Sequence, residues 1–217
     1  MPDLDWHRKV WGKTYPWPKD GDEWDEMAKF SGVSYESWKD SLIRLFVINH
    51  LRPFFNVVEI GAGHGRWSER IAPQVPNGTL CLVDLNQACI DYCRKRLEKY
   101  QNIKYVVNDG STLKALDAGK TDFVWSFDTF PHIEIQEVRP YAREIYRIMA
   151  RQSMGAIHHC GNPTAEQKAS GARASVTGVE FKKLLMDAGF YIIHQVDSWN
   201  GGNVKLQNDL ITVFVKP

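Results

Sequence analysis

No hydrophobic run in this chain approaches the roughly 20 residues a helix needs to cross a bilayer, and the opening stretch MPDLDWHRKVWGK has no apolar core of the signal-peptide kind. Both absences lead us to expect a cytoplasmic protein with no membrane partner. Neither sign of charge is in excess. With 27 Lys and Arg against 26 Asp and Glu, the formal charge is +1, so no long-range field gathers nucleic acid. Cysteine is scarce, and Cys81, Cys89, Cys93 and Cys160 form neither a CxxC pair nor a zinc spacing; they read as reduced structural thiols. Repeats are absent, and 43% hydrophobic residues suffice for the core of one sizeable domain.

Tryptophan is what the chain has in plenty. Trp6, Trp11, Trp17 and Trp24 fall within the first 25 residues among Pro, Gly, Asp and Lys. Residues 1–50 are therefore expected to form an irregular, aromatic-rich arm or lid with a helix, set against a main domain over 51–217. The rings either staple the arm to the body or floor a ring-shaped ligand. Ser34 can cap the helix that follows, in which Trp38, Leu42, Leu45, Phe46, Ile48 and Asn49 recur at helical spacing.

Beyond residue 50 strand and helix alternate. Strands are expected at 56–61, 79–85, 103–109, 121–127 and 153–160, with helices from 66, from 87 and from near Pro140, since proline is tolerated in a first turn. Residues 161–178 read as a polar loop of unusual length, followed by a helix that Gly189 stops. Two final strands, 191–199 and 209–217, have no helix between them. The pattern predicts an α/β fold: a Rossmann-like, seven-stranded, mostly parallel sheet with an antiparallel last strand and helices on both faces.

The first strand runs into glycines, giving E-x-G-x-G-x-G with Glu59, Gly61, Gly63 and Gly65. Such a turn lets backbone approach a ligand. A dinucleotide fingerprint would need its third glycine at position 66, where Arg66 stands, and no phosphate-binding lysine follows. Asp84 ends the second strand roughly 20 residues on, where a carboxylate can accept both hydroxyls of a ribose.

With "VVEIGAGHG", "LCLVDLN", "VVNDGSTL", "DFVWSFDTFPHI" and "SMGAIHH" in this order, the chain resembles the class I S-adenosylmethionine-dependent methyltransferases. The resemblance covers about residues 50 to 217 and extends to a bacterial subgroup acting on sugars or other hydroxylated small molecules. It implies S-adenosyl-L-methionine as cofactor. Glu59, Gly61, Gly63 and Gly65 would line its methionine and ribose side, Asp84 with Leu85 would hold the ribose, Asp109, Gly110 and Ser111 would meet the adenine, and Phe127 would lie beside the sulfonium.

Ligands of an open parallel sheet bind at the carboxyl ends of its strands, where strand four delivers Phe127, Asp128 and His132, and strand five His158, His159 and Asn162. An alcohol acceptor needs its proton removed, the ordinary work of a histidine steadied by a carboxylate. Adjacent strand residues face opposite ways, so one of the doublet serves the site. His159 is the first expectation for the base and His158 the second, with Asp128 orienting it. His132 either contacts substrate or caps a helix, and Arg173 and Asn162 are expected to bind the acceptor. A divalent metal on Asp128 and His159 is the lesser alternative, because Gly161 stands where metal-dependent relatives place acidic residues.

The expected partner is a small hydroxylated molecule, most simply a sugar or polyol. Nucleic acid is not expected, since "SFDTFPH" replaces the N/D-P-P-[YFW] motif of amino-methylating nucleic-acid enzymes. A small amine acceptor, or a non-catalytic cofactor-binding role, is the alternative, and the chain is expected to be a monomer or homodimer.

Overall fold

A computed structural model describes residues 3–17, 24–170 and 172–217. The parts of the expected arm at 1–2 and 18–23, and Gly171 of the expected loop, lie outside the described residues. The chain opens with α1 (Leu4–Lys9), a π-helical turn (Val10–Thr14), α2 (Asp25–Phe30) and α3 (Tyr35–Phe46). Ser34 caps α3, its hydroxyl accepting from Ser37 N–H. The face that α3 buries is Trp38, Leu42, Ile43 and Phe46, whereas the predicted Leu45 is 41% exposed. Trp38, Leu42 and Phe46 are buried as expected, Ile43 takes the place given to Leu45, and Ile48 and Asn49 belong to a separate 3-10 turn because α3 stops at Phe46.

Seven strands form the main sheet: β1 (Asn56–Ile60), β2 (Thr79–Asp84), β3 (Ile103–Val107), β4 (Thr121–Ser126), β5 (Met149–Cys160), β6 (Tyr191–Val196) and, after a small hairpin of β7 (Ser198–Trp199) and β8 (Val204–Lys205), β9 (Asp209–Val215). Their order is β3-β2-β1-β4-β5-β9-β6. The pairings among β1 to β5 are parallel, while β9 lies antiparallel between β5 and β6. The last strand is thus antiparallel, as the missing helix predicts, and it is inserted rather than added at the edge.

Alternation along the strands divides the core in two. Val57, Leu80, Leu82, Phe123 and Trp125 pack on one face with α3, and Val58, Ile60, Cys81, Val83 and Val124 on the other with α6 (Ile135–Ile148) and α8 (Gly178–Asp187). Two short elements complete the helices before the last: α4 (Ser68–Ile71), and α5 (Gln87–Arg96). Helix α6 begins five residues before Pro140, the expected start. The carbonyl that the proline leaves without its helical partner belongs to Gln136, an exposed residue. Within the expected loop lies α7 (Ala165–Ala169), started by a reciprocal capping box of Thr164 and Gln167. Among the described residues no helix is long and apolar enough to cross a membrane.

Candidate active site

The strand order reverses between β1 and β4, and a cleft opens there, at the carboxyl ends of the strands, as the geometry of open sheets requires. Together with the open solvent at its mouth the cleft encloses about 1140 Å3. Its floor is the loop after β1. Gly61, Gly63 and Gly65 all take positive φ, at 72°, 52° and 75°. A Cβ at Gly63 would lie 2.8 Å from the Trp17 ring, so only glycine leaves the cleft open under that indole. Gly65 faces away instead, against Leu97 and Cys93, and serves packing.

At the end of β2, Asp84 lines the cleft, accepting Gly63 N–H at 2.9 Å on one oxygen and Asn86 N–H at 2.8 Å on the other. Burial raises its pKa to about 6 against those hydrogen bonds. Each oxygen keeps a second lone pair, a set that fits two adjacent ribose hydroxyls. Leu85, Gly110 and Phe127 line the same cleft. These residues and the glycine cradle fit a nucleoside that carries no phosphate.

Besides Gly65, three further expected cofactor residues lie elsewhere. Glu59 is 2% exposed beneath the loop, where it accepts the Ser68 hydroxyl at 2.6 Å and burial raises its pKa to about 8. Asp109 turns from the cleft to cap its own turn, accepting from Ser111 and Thr112 N–H and from both hydroxyls. Ser111 is used up in that turn; Asn108, held by its amide to the Tyr141 hydroxyl at 2.7 Å, is the polar residue that reaches the cleft.

The far half of the cleft is made by the arm. Trp11, Tyr15, Trp17 and Trp24 line it, with His7 from α1. They both staple the arm and wall the cavity. Trp17 stacks on His64 with centroids 4.3 Å apart, Trp24 on Trp67 at 5.0 Å, and Arg66 lies 5.4 Å from the Trp17 ring and 6.0 Å from that of Trp24. Trp24 Nε1–H donates to Asp128 Oδ2 at 2.8 Å. Asp128 Oδ1 lies 3.6 Å from His132 Nε2, and the His132 side chain is 10% exposed beside Trp11. Burial works against ionisation of Asp128, but its neighbours His132, His158 and Arg173 hold its carboxyl well below the usual range. His7, its Nδ1 accepting Trp11 Nε1–H, is pushed down to about 4 by burial and by His132.

The histidine doublet is not in the cleft. His159 points to the opposite face of the sheet, stacked on Phe181 of α8 at 3.8 Å; its Nδ1–H donates to Cys160 O and its Nε2 accepts the Thr212 hydroxyl, both at 2.7 Å. Burial drives its pKa to about 3, a neutral ring with both nitrogens engaged. It cannot serve as the expected base or metal ligand without leaving that slot. His158 shares the cleft-side face but lies behind Phe127, stacked on it at 4.2 Å and fully buried. Arg173, expected at the acceptor, instead grips Asp209 with contacts of 2.8 to 3.1 Å. Asn162 sits on the exposed side of the β5–β9 connection, with its N–H on Asn208 O. Of the predicted catalytic residues, Asp128 and His132 are the pair brought together at the cleft. Among the described residues no group of three or more His, Cys, Asp or Glu is arranged to hold a metal.

Residues 57–152 match a family model described as a methyltransferase domain. Malonyl-[acyl-carrier protein] O-methyltransferase 1 of Ilyobacter polytropus is 28% identical over 82 residues, 38% of this chain and 30% of that protein. The matched segment therefore spans under a third of that relative's length. Among solved structures, the geranyl diphosphate C-methyltransferase of Streptomyces coelicolor A3(2), crystallised with Mg2+, geranyl diphosphate and S-adenosyl-L-homocysteine, superposes with a TM-score of 0.74 at 11% identity, covering 100% of this chain and 99% of that one. The [4+2]-cyclase SpnF gives 0.66 at 14% identity, with 82% and 79% covered. At such identities the likeness concerns the fold, which hosts more than one reaction.

Proposed function

We propose that the chain, whose residues 57–152 match a methyltransferase-domain model, is a class I S-adenosylmethionine-dependent methyltransferase that methylates a hydroxyl of a small, uncharged acceptor such as a sugar or polyol, with His132 as general base and Asp128 as its partner. The observation that carries this reading is the Asp128–His132 pair on the cleft wall, next to Phe127. When bound, S-adenosylmethionine supplies a sulfonium methyl group that an oxygen nucleophile displaces in line. Asp84 and the glycine cradle hold its nucleoside, and Arg66, between two indole faces, supplies a cation for its carboxylate. His132 Nε2–H faces Asp128, which leaves Nδ1 to take the acceptor's proton while the carboxylate steadies the imidazolium. The arm covers the cleft, selects the acceptor and excludes water.

Aromatic rings in the far half suit the apolar faces of a sugar. A second reading, methylation of a small amine, is favoured by the carboxylates of Asp3, Asp128, Glu134 and Glu137 around the cleft, against Arg66. Incubating the chain with S-adenosylmethionine carrying a labelled methyl group and a panel of sugars, polyols, amines and carboxylic acids separates the readings. Label entering a polyol or sugar is expected. Label entering amines or carboxylic acids and no hydroxyl compound would overturn the first reading.

A further inference from the structure

Asp128 has φ 59°, a left-handed backbone that a residue with a Cβ holds only when its surroundings impose it. The surroundings lie behind the cleft. Asp128 N–H donates to His158 Nδ1 at 3.0 Å. Because Nδ1 accepts, the neutral ring carries its hydrogen on Nε2, and that atom faces Asp209 Oδ2 at 3.4 Å. Asp209, 2% exposed at the start of β9, is gripped by Arg173. From the same segment Ala174 N–H donates to Pro131 O at 2.7 Å, and Ser175 N–H reaches the Glu134 carboxylate at 3.2 Å.

The geometry points to Arg173, Asp209 and His158 as a buried positioning relay that sets the backbone of Asp128 and so aims its carboxylate at His132. The inference rests on the proposed role of Asp128. Each member has a definite part. His158 supplies the acceptor that fixes the left-handed turn. The Asp209 carboxylate, 3.4 Å from Nε2 without hydrogen-bonding to it, favours by its charge the tautomer that leaves this acceptor free. Arg173 holds that carboxylate in place. The groups facing the ring are Phe127 and Asp128 after β4, Asp209 on β9 with Arg173 behind it, and neighbouring His159 on β5. Three segments far apart in sequence thus meet at one amide, and the order of residues 173–175 is coupled to the geometry of the site.

Amide exchange and imidazole nitrogen shifts, read by NMR on the full chain labelled with nitrogen-15, test this without any acceptor. In the native chain His158 is expected as the Nε2–H tautomer, with the Asp128 amide protected. His158→Phe keeps the ring stacked on Phe127 but removes the acceptor, and Asp128 exchange should accelerate about tenfold or more, the worth of one buried hydrogen bond, while Val124 in β4 is unchanged. His158→Asn places an oxygen near the Nδ1 position and should restore protection. Arg173→Met removes the grip on Asp209 and should accelerate Asp128 exchange as well. In the methyl-transfer assay His158→Phe should lower kcat and leave KM for S-adenosylmethionine unaltered. An Nδ1–H tautomer in the native chain, or equal Asp128 exchange in native, Phe and Asn forms, overturns the relay. Should Arg173→Met fail to fold, the pair of His158 variants still decides. Failure of the native chain to methylate any acceptor would sink the proposed function, whereas tautomer and exchange would still judge the relay.

Discussion

The two halves of the cleft are built by different means. The cofactor half is local: one glycine turn between β1 and α4, and one carboxylate at the end of β2, joined by a Gly63–Asp84 hydrogen bond. The acceptor half is assembled from distant pieces. Trp24 meets Asp128 across 104 positions, and Trp11 meets His132 across a similar interval. The halves meet where the Trp17 ring lies over Gly63 and where Arg66 lies by the Trp17 and Trp24 rings. Cofactor binding and acceptor choice are separable only at arm positions whose change spares those contacts, and that is the difference mutation can break.

The sharpest cut is at His132. His132→Ala should lower kcat by about 10²- to 10⁴-fold, the usual range for a lost general base, while the affinity for S-adenosylmethionine in calorimetric titration stays within about twofold, since no cradle group is touched. Turnover close to native would show that the base lies elsewhere. On the other side, Asp84→Asn replaces a charged acceptor of two ribose hydroxyls and should weaken the cofactor by about tenfold to a hundredfold. If its affinity held and acceptor KM rose instead, the two halves would have been assigned the wrong way round.

The same contrast explains what the sequence revealed. The succession of strands and helices, the antiparallel last strand, the glycine turn and Asp84 at a strand end are legible from periodicity and spacing, whereas the order of the strands in the sheet is set by long-range pairing. Asp128 and His132 were visible as strand-end polar residues, but their union with Trp24 depends on how the arm folds back, which no local pattern encodes. The doublet misled for a specific reason. Alternation correctly separates His158 from His159, yet which of them faces the cleft depends on the register of β5, and Met149 rather than Ser153 begins that strand. Face also proved insufficient, because Phe127 lies between His158 and the cavity. Asp109 and Ser111 failed through turn chemistry: an Asp followed by Gly and Ser satisfies its own backbone before any ligand.

Beneath the acceptor half, His159 gives a test that depends on pH. Its pKa is about 3 in the fold against an ordinary 6.5, so between those values the unfolded chain binds a proton that the native chain does not. This contribution to stability is full above the ordinary value and is lost as pH falls through that window, by about 1.4 kcal/mol per pH unit for one proton. His159→Gln removes the titrating ring. Denaturant titrations from pH 7 to 4 should show a shallower fall for the variant than for the native chain. Parallel curves would mean that His159 titrates normally and is not held neutral between Cys160 and Thr212.

The smallest expected effect bears most directly on whether the halves are independent. Trp24→Phe preserves the aromatic wall against Trp67 and Phe127 and deletes a single donor, Nε1–H to Asp128. One hydrogen bond to a carboxylate is lost, so kcat should fall about threefold to tenfold, with little change in fold stability. Cofactor affinity should move little, since phenylalanine keeps an aromatic face toward Arg66, and Asp84 with its hydrogen-bonding partners is not touched. A weakening of S-adenosylmethionine comparable to the loss in kcat would mean that Trp24 acts through closure of the whole arm. The arm would then belong to both halves, and acceptor choice could not be altered there without cost to the cofactor.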